Sequence, residues 1–286
     1  MDISIYNTNT ARRLIATIEL DEDGNFLEEG DYTIAGFKGT GSEVKIAFVH
    51  PAGSMTGSLL PTSRQEDVVE VAHPPVGVLP FAVRASLVDA ANPFIFVDAE
   101  SLPFHVKGQP FNSSAVLEAV ESIRKVGAVM MGLAENIEAA AKVRGTPKIA
   151  LLSATPKGTG KDSADIRVAA FSMGQLHPSL QLTGAVCLGA ACCVPGTVAH
   201  RLARSNPNLL LPSPERTPSP DGEKSERGGG WDEGMTRKQS VRIEHGTGSI
   251  SVEMMVEGFG NQITIGSGVV SRTVRRLFEG KVLYYA

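Results

Sequence analysis

Apolar and polar positions alternate through the first fifty residues. Residues 3–6, 13–20, 31–37 and 43–49 each read as strands, and polar turns at 7–10 and 21–25 separate the first of them. That is the pattern of an antiparallel meander, whose first strand needs a partner on its outer edge. Residues 68–88 are strand-like but interrupted by Pro74, Pro75 and Pro80, and Asn92-Pro93 leads into the apolar run 94–97. Between residues 115 and 143 the period changes. Val116, Val120, Ile123, Met130, Leu133 and Ile137 recur at helical spacing, predicting one long amphipathic helix capped by Ser113 or Ser114 and broken near Gly127 or Gly132. Strands are predicted at 147–153 and 166–171, then a polar loop over 172–182. A helix of small apolar residues follows over 183–194, with Thr183 as N-cap. The chain closes with strands at 241–243, 250–256, 262–269 and 280–285, and a hairpin turn at 245–249. Some ten strands, one amphipathic helix and one small-residue helix make an α+β protein.

Composition refines this picture in a few places. Residues 205–240 are dense in Pro, Ser, Glu, Arg and Gly and include the lone Trp231; such a segment cannot build a core and reads as a disordered surface insertion. The net charge is −4, which offers no basic field for nucleic acid or an acidic membrane. No run is long and apolar enough to span a bilayer, and the start does not read as a signal peptide, so the expectation is a soluble cytoplasmic protein. A homodimer is left open. Cys187, Cys192 and Cys193 crowd into one apolar run with no metal-ligand spacing around them, and read as buried core residues. The run GTGKDS at 158–163 lacks the spacing of a phosphate-binding loop.

The candidate chemistry lies in loops. Residues 166–194 run strand, loop, helix, the layout that aims backbone N–H groups and the positive end of a helix dipole at an anion. Gly184 lets a ligand approach the backbone. A second loop, HPAGSMTGSLLPTS at 50–63, is rich in small hydroxyls; it reads equally as a surface turn and as an anion-binding nest.

Eight motifs, in order, carry a resemblance: NTNT, PAGSMTGSLLPT, DAANPFIFVDA, IRKVGAVMMGLA, PKIALLS, SMGQLHPSLQLTGA, VPGTVA and RTVRRLFEGKV. The chain resembles PrpF-family proteins, which include methylitaconate and aconitate Δ-isomerases and 4-oxalomesaconate tautomerase. The resemblance implies a diaminopimelate-epimerase-like fold, two similar β-rich lobes each wrapped around a central helix. On that reading residues 1–85, joined by a C-terminal strand at 275–286, are the remainder of the first lobe, and 86–274 are the second. It implies proton transfer α to a carboxylate, moving a double bond in small unsaturated di- or tricarboxylic acids without metal or organic cofactor.

The epimerase segment ERGVGETLACGTGA lies on residues 172–185 without a gap. The epimerase's cysteine then falls on Gln181. The residues implied to bind substrate are Asn9, Thr10, Ser54, Thr56, Gly57, Asn92, Ser172, Met173, Gly174, Thr183 and Gly184. His177 is the titratable side chain of the loop and the candidate to carry a proton. The Cys and Lys that move protons in the family belong to a first-lobe segment with no match in this sequence. The second reading is therefore a truncated or non-catalytic relative that binds a carboxylate or a partner without turnover.

Overall fold

The structure is a computed structural model that describes residues 1–36, 38–74, 78–156, 163–203, 236–258, 263–276 and 280–281. Its strands are β1 (Asp2–Asn7), β2 (Arg12–Thr17), β3 (Glu43–Val49), β4 (Asp67–Val71), β5 (Phe81–Ala90), β6 (Asn92–Asp98), β7 (Lys148–Ala154), β8 (Ile166–Ser172), β9 (Gln175–Leu176), β10 (Thr236–His245), β11 (Gly248–Glu257) and β12 (Thr264–Thr273). The helices are α1 (Ser114–Met130), α2 (Ile137–Lys142), α3 (Leu182–Cys193) and α4 (Val198–Ala203). The α+β class is the expected one.

The strands form one sheet in the order β1-β2-β3-β12-β11-β10-β8-β7-β6-β5-β4, with β9 folded back on β8. An isolated bridge between Ala52 and Ala90 brings the loop after β3 against β5, so the sheet curls around α3. That helix is apolar on every side, and ten of its twelve residues are buried, as a helix at the centre of a core requires. Its small residues let the wrapping strands come close. A Cβ on Gly189 would stand 2.7 Å from Val252 Cγ1 and 2.8 Å from Met254 Sδ.

α1 covers the other face of the sheet. Val116, Val120 and Ile123 pack with Val83, Leu87, Ile95 and Ile149, while Val88, Phe94, Phe96 and Ala150 turn toward α3. Strands β5, β6 and β7 are therefore covered on both sides, which explains their continuous apolar runs. Glycine at 127 is a packing requirement, because a Cβ there would run into Ile95 Cδ1. The break in the helical pattern falls instead at Gly132 (φ 71°). There the N–H groups of Gly132 and Leu133 donate to Val129 O and Ala128 O, a Schellman termination. Ser113 is the N-cap of α1. Arg124, 2% exposed, donates to Glu121 and to the carbonyls of Ala140 and Val143, tying α1 to the end of α2.

Several expectations change. The break read near Gly132 divides residues 115–143 into two separate helices, α1 and α2. Residues 68–88 divide into β4 and β5. Within 31–36, Tyr32 makes only a bridge to Gly41, and Phe37 lies outside the described residues. Thr183 does not cap α3: the N-cap is Gln181, with no side-chain capping bond. Residues 236–240, assigned from composition to the insertion, begin β10, where they pair with β11; residues 205–235, Trp231 included, lie outside the described residues. So do 158–162 of the GTGKDS run and 282–285 of the last expected strand. The outer edge of β1 has no partner among the described residues, and Ile3, Ile5 and Tyr6 are exposed. The boundary proposed at residue 85 falls inside β5.

Candidate functional site

Three loops and one helix start meet where α3 begins. The tip between β5 and β6 is a single residue, Ala91 (φ 62°), with Ala90 and Asn92 paired across it. Strand alternation puts Asn92 on the same face as Phe94 and Phe96, toward α3. The Phe94 ring lies so close to Gly184 that a Cβ there would meet Phe94 Cζ and Leu180 Cδ1, each at 2.9 Å. Asn92 thus sits one pleat beyond the first turn of α3. Ala185 N–H donates to Gln181 O. Among the described residues, no acceptor meets the N–H groups of Leu182, Thr183 or Gly184. Gln181 Oε1 is buried and has no partner among the described residues.

The loop after β3 is held from inside. Asp89 of β5 is fully buried. Its carboxylate accepts bonds from Ser54 Oγ, from the N–H groups of Met55 (2.8 Å) and Thr56 (2.7 Å), and from Thr56 Oγ1 (2.9 Å). The nest read from the sequence therefore exists, and its anion is a side chain of the protein itself. The polar groups of Ser54 and Thr56 turn inward to Asp89. Gly57 (φ 81°) faces open space, where an added Cβ would meet nothing within 4 Å. Arg12 Nη2 donates to Ala52 O (2.7 Å) and Gly53 O (3.2 Å). This bond brings the β1–β2 turn, with Asn9 and Thr10, to the same loop. Asn9 N–H donates to Asn7 Oδ1 within that turn.

The third element is the turn between β8 and β9. Ser172 pairs with Gln175 across Met173 (φ 54°) and Gly174 (φ 75°), a two-residue turn with both central residues left-handed. The Arg144 guanidinium fills the place of the missing side chain at Gly174, where a Cβ would collide with Nη2. Lys148 opens β7 beside Phe94, and its Nζ lies 3.4 Å from Ser172 Oγ. Ile149 packs toward α1 and Ala150 into the cluster shared by α3 and α4, so Lys148 lies on that second face with Asn92. Burial pushes the Lys148 ammonium below its usual pKa.

His177 stands apart from this group. Its Nδ1 is 2.6 Å from Ser179 O. The Ser179 N–H also points at Nδ1, from 3.2 Å, so the roles of the two ring nitrogens depend on the tautomer. The ring faces the β10–β11 hairpin. There His245 is lowered in pKa by burial first, then by the charges of Arg272 and His177. The thiols take no part. All three cysteines are buried. Burial raises Cys187 and Cys192 well above the ordinary thiol value and Cys193 to about 12, so none supplies a thiolate near neutrality.

The structure thus puts Thr183 and Gly184 in the first turn of α3, Asn92 two residues along β6 from the Phe94 that packs on Gly184, and Ser172 beside Lys148. Asn9, Thr10, Ser54, Thr56 and Gly57 lie on the adjoining loops, with Met173 and Gly174 at the rim and His177 toward the hairpin. Sequence reasoning does not find Asp89, Arg12, Arg144, Lys148 or His245. One of them carries a signal, because Asp89 is a charged residue at the end of an apolar strand.

The family profile described as PrpF protein matches residues 1–211. The chain belongs to the PrpF family. It is 30% identical to 2-methyl-aconitate isomerase from Shewanella oneidensis, over 98% of this chain and 64% of that protein. It is 29% identical to 3-methylitaconate isomerase from Eubacterium barkeri, over 98% of this chain and 66% of that protein. The fold matches the crystal structure of methylitaconate-delta-isomerase with a TM-score of 0.66 and 26% identity, covering 96% of this chain and 64% of the other. This PrpF-family chain therefore spans about two thirds of the length of the relatives it matches. Among the described residues no helix is long and apolar enough to cross a membrane.

Proposed function

We propose that the protein is an isomerase that moves a double bond by proton transfer in small unsaturated di- or tricarboxylic acids of the methylaconitate or methylitaconate type. The observation that carries this reading is the start of α3, where three backbone N–H groups lack acceptors among the described residues and Phe94, two residues along β6 from Asn92, packs on Gly184. Such donors suit a carboxylate and the enolate charge that develops when an adjacent C–H proton leaves. The reaction also needs a base near that C–H. The buried thiols do not serve, and His177, the titratable side chain on the loop leading into α3, is the base candidate although it lies toward the β10–β11 hairpin. The names of the relatives support the substrate class.

The test is to incubate the purified protein with 3-methylitaconate or 2-methyl-aconitate in D2O, following ultraviolet absorbance of the double bond and deuterium entry by NMR. Absorbance change with deuterium at the allylic carbon is the expected result, and His177→Gln asks whether the imidazole moves the proton. Binding of either acid with neither change would favour the second reading, a carboxylate-binding protein without turnover.

A further inference from the structure

We propose that Lys148 is a substrate-binding residue, whose ammonium, together with Ser172 Oγ, holds one carboxylate of the substrate. The identity of the ligand rests on the isomerase reading; the anion site itself rests on the following geometry.

β7 is apolar from Ile149 to Leu152, and Lys148 begins it on the face turned away from α1, toward the cluster that α3 and α4 share. Its neighbour in the sheet is Phe94, whose ring touches the first turn of α3. The side chain thus starts one strand over from the residue that packs on the first turn of α3, whose Leu182, Thr183 and Gly184 N–H groups have no acceptor among the described residues. Among the described residues Lys148 forms no ion pair, and its polar contact is a hydroxyl at 3.4 Å, a neutral group at the long end of hydrogen bonding. Arg144, over Gly174 on the adjoining turn, also forms no ion pair among the described residues. Two cations therefore border this turn, and no carboxylate among the described residues balances them. A partly desolvated ammonium without a counter-ion is stabilised by whatever anion enters. The opposite case stands across the site, where Asp89 has drawn in the donors of the neighbouring loop. One side of the site is closed by an internal carboxylate, and the other is left open to an external one.

A lysine that merely rests its stem on the sheet while its head is solvated would have the same exposure, and substitution separates the two. Tricarballylate, a saturated tricarboxylate that cannot isomerise, is titrated calorimetrically into the whole protein and into Lys148→Met, Lys148→Arg and Ser172→Ala. Losing a charge-assisted contact should weaken binding about 10- to 100-fold in Lys148→Met. Lys148→Arg should keep most of the affinity, and Ser172→Ala should lose less than Lys148→Met. Thermal unfolding of Lys148→Met should be unchanged or raised, which excludes a folding defect as the cause. Wild-type affinity in Lys148→Met, or no binding by the wild-type protein, overturns the proposal. Failure of the isomerase reading shows separately, as absence of deuterium exchange with an unsaturated acid, and leaves this binding comparison intact.

Discussion

Removing the charge of Asp89 tests how the loop after β3 is held. Asp89→Asn keeps shape and volume. The best amide orientation places its oxygen at the Oδ2 position, where it still accepts from Met55 N–H, Thr56 N–H and Thr56 Oγ1. The NH2 then faces Ser54 Oγ, which can turn to accept. The Ser54 O–H loses its acceptor, and three charge-assisted bonds become neutral ones, each weaker by about 1 kcal/mol. Part of that is offset because a neutral amide costs less to bury than a carboxylate, so the net loss is about 1–3 kcal/mol. Asp89→Leu should cost more, about 2–5 kcal/mol, because the N–H groups of Met55 and Thr56 lose their acceptor. Urea unfolding followed by circular dichroism measures both, with an unchanged slope confirming that stability rather than compactness moved. A cycle with Thr56→Val should show coupling of at least about 0.5 kcal/mol with Asp89→Asn. Equal stability of wild type and both Asp89 variants, or a larger loss for Asn than for Leu, would refute the view that this carboxylate organises the loop.

Other substitutions probe the packing and the titrating groups. Gly127→Ala should destabilise by about 1–2 kcal/mol, overpacking against Ile95 outweighing the gain in helix propensity; Ile95→Val, which removes the clashing methyl, should restore part of that loss in the double variant. Ellman's reagent should leave all three cysteines unreacted in the native protein and label them in denaturant. His245 has a folded pKa below 6.5, so the unfolded chain binds more protons and stability falls as pH drops from 6.5 through that folded value. His245→Gln should flatten this part of the stability–pH curve. Lys148 is lowered from 10.5, so its burden on stability is greatest near neutrality and fades as pH rises through the folded pKa toward 10.5. Any stabilisation gained in Lys148→Met should fade over the same range.

The periodicities located most elements because each reports on one face at a time. Alternation in β11 and the helical recurrence in α1 follow directly from one buried side. The small-residue run became α3 because only small side chains allow the sheet to close around a helix at Gly184 and Gly189. What periodicity cannot encode is which loop meets which strand. The hydroxyl-rich loop at 50–63 is composed like an anion nest, and it is one. The identity of its anion depends on the Ala52–Ala90 bridge, a contact between residues far apart in sequence that no local pattern announces. Lys148 is hidden for the opposite reason: at the head of an apolar strand it passes for a solvated strand end, until the pairing with Phe94 puts it on the face turned away from α1. The N-cap error has the same origin. Thr183 has the right chemistry for a cap, yet the cap falls two residues earlier, at Gln181, and the helix leaves its first N–H groups without a side-chain acceptor. A helix start with no side-chain cap, and, one strand over from the Phe94 packed on it, a lysine with no counter-ion among the described residues, are each locally unfavourable. An anion placed between them would relieve both, and this shared relief ties the start of α3 and Lys148 into one carboxylate site.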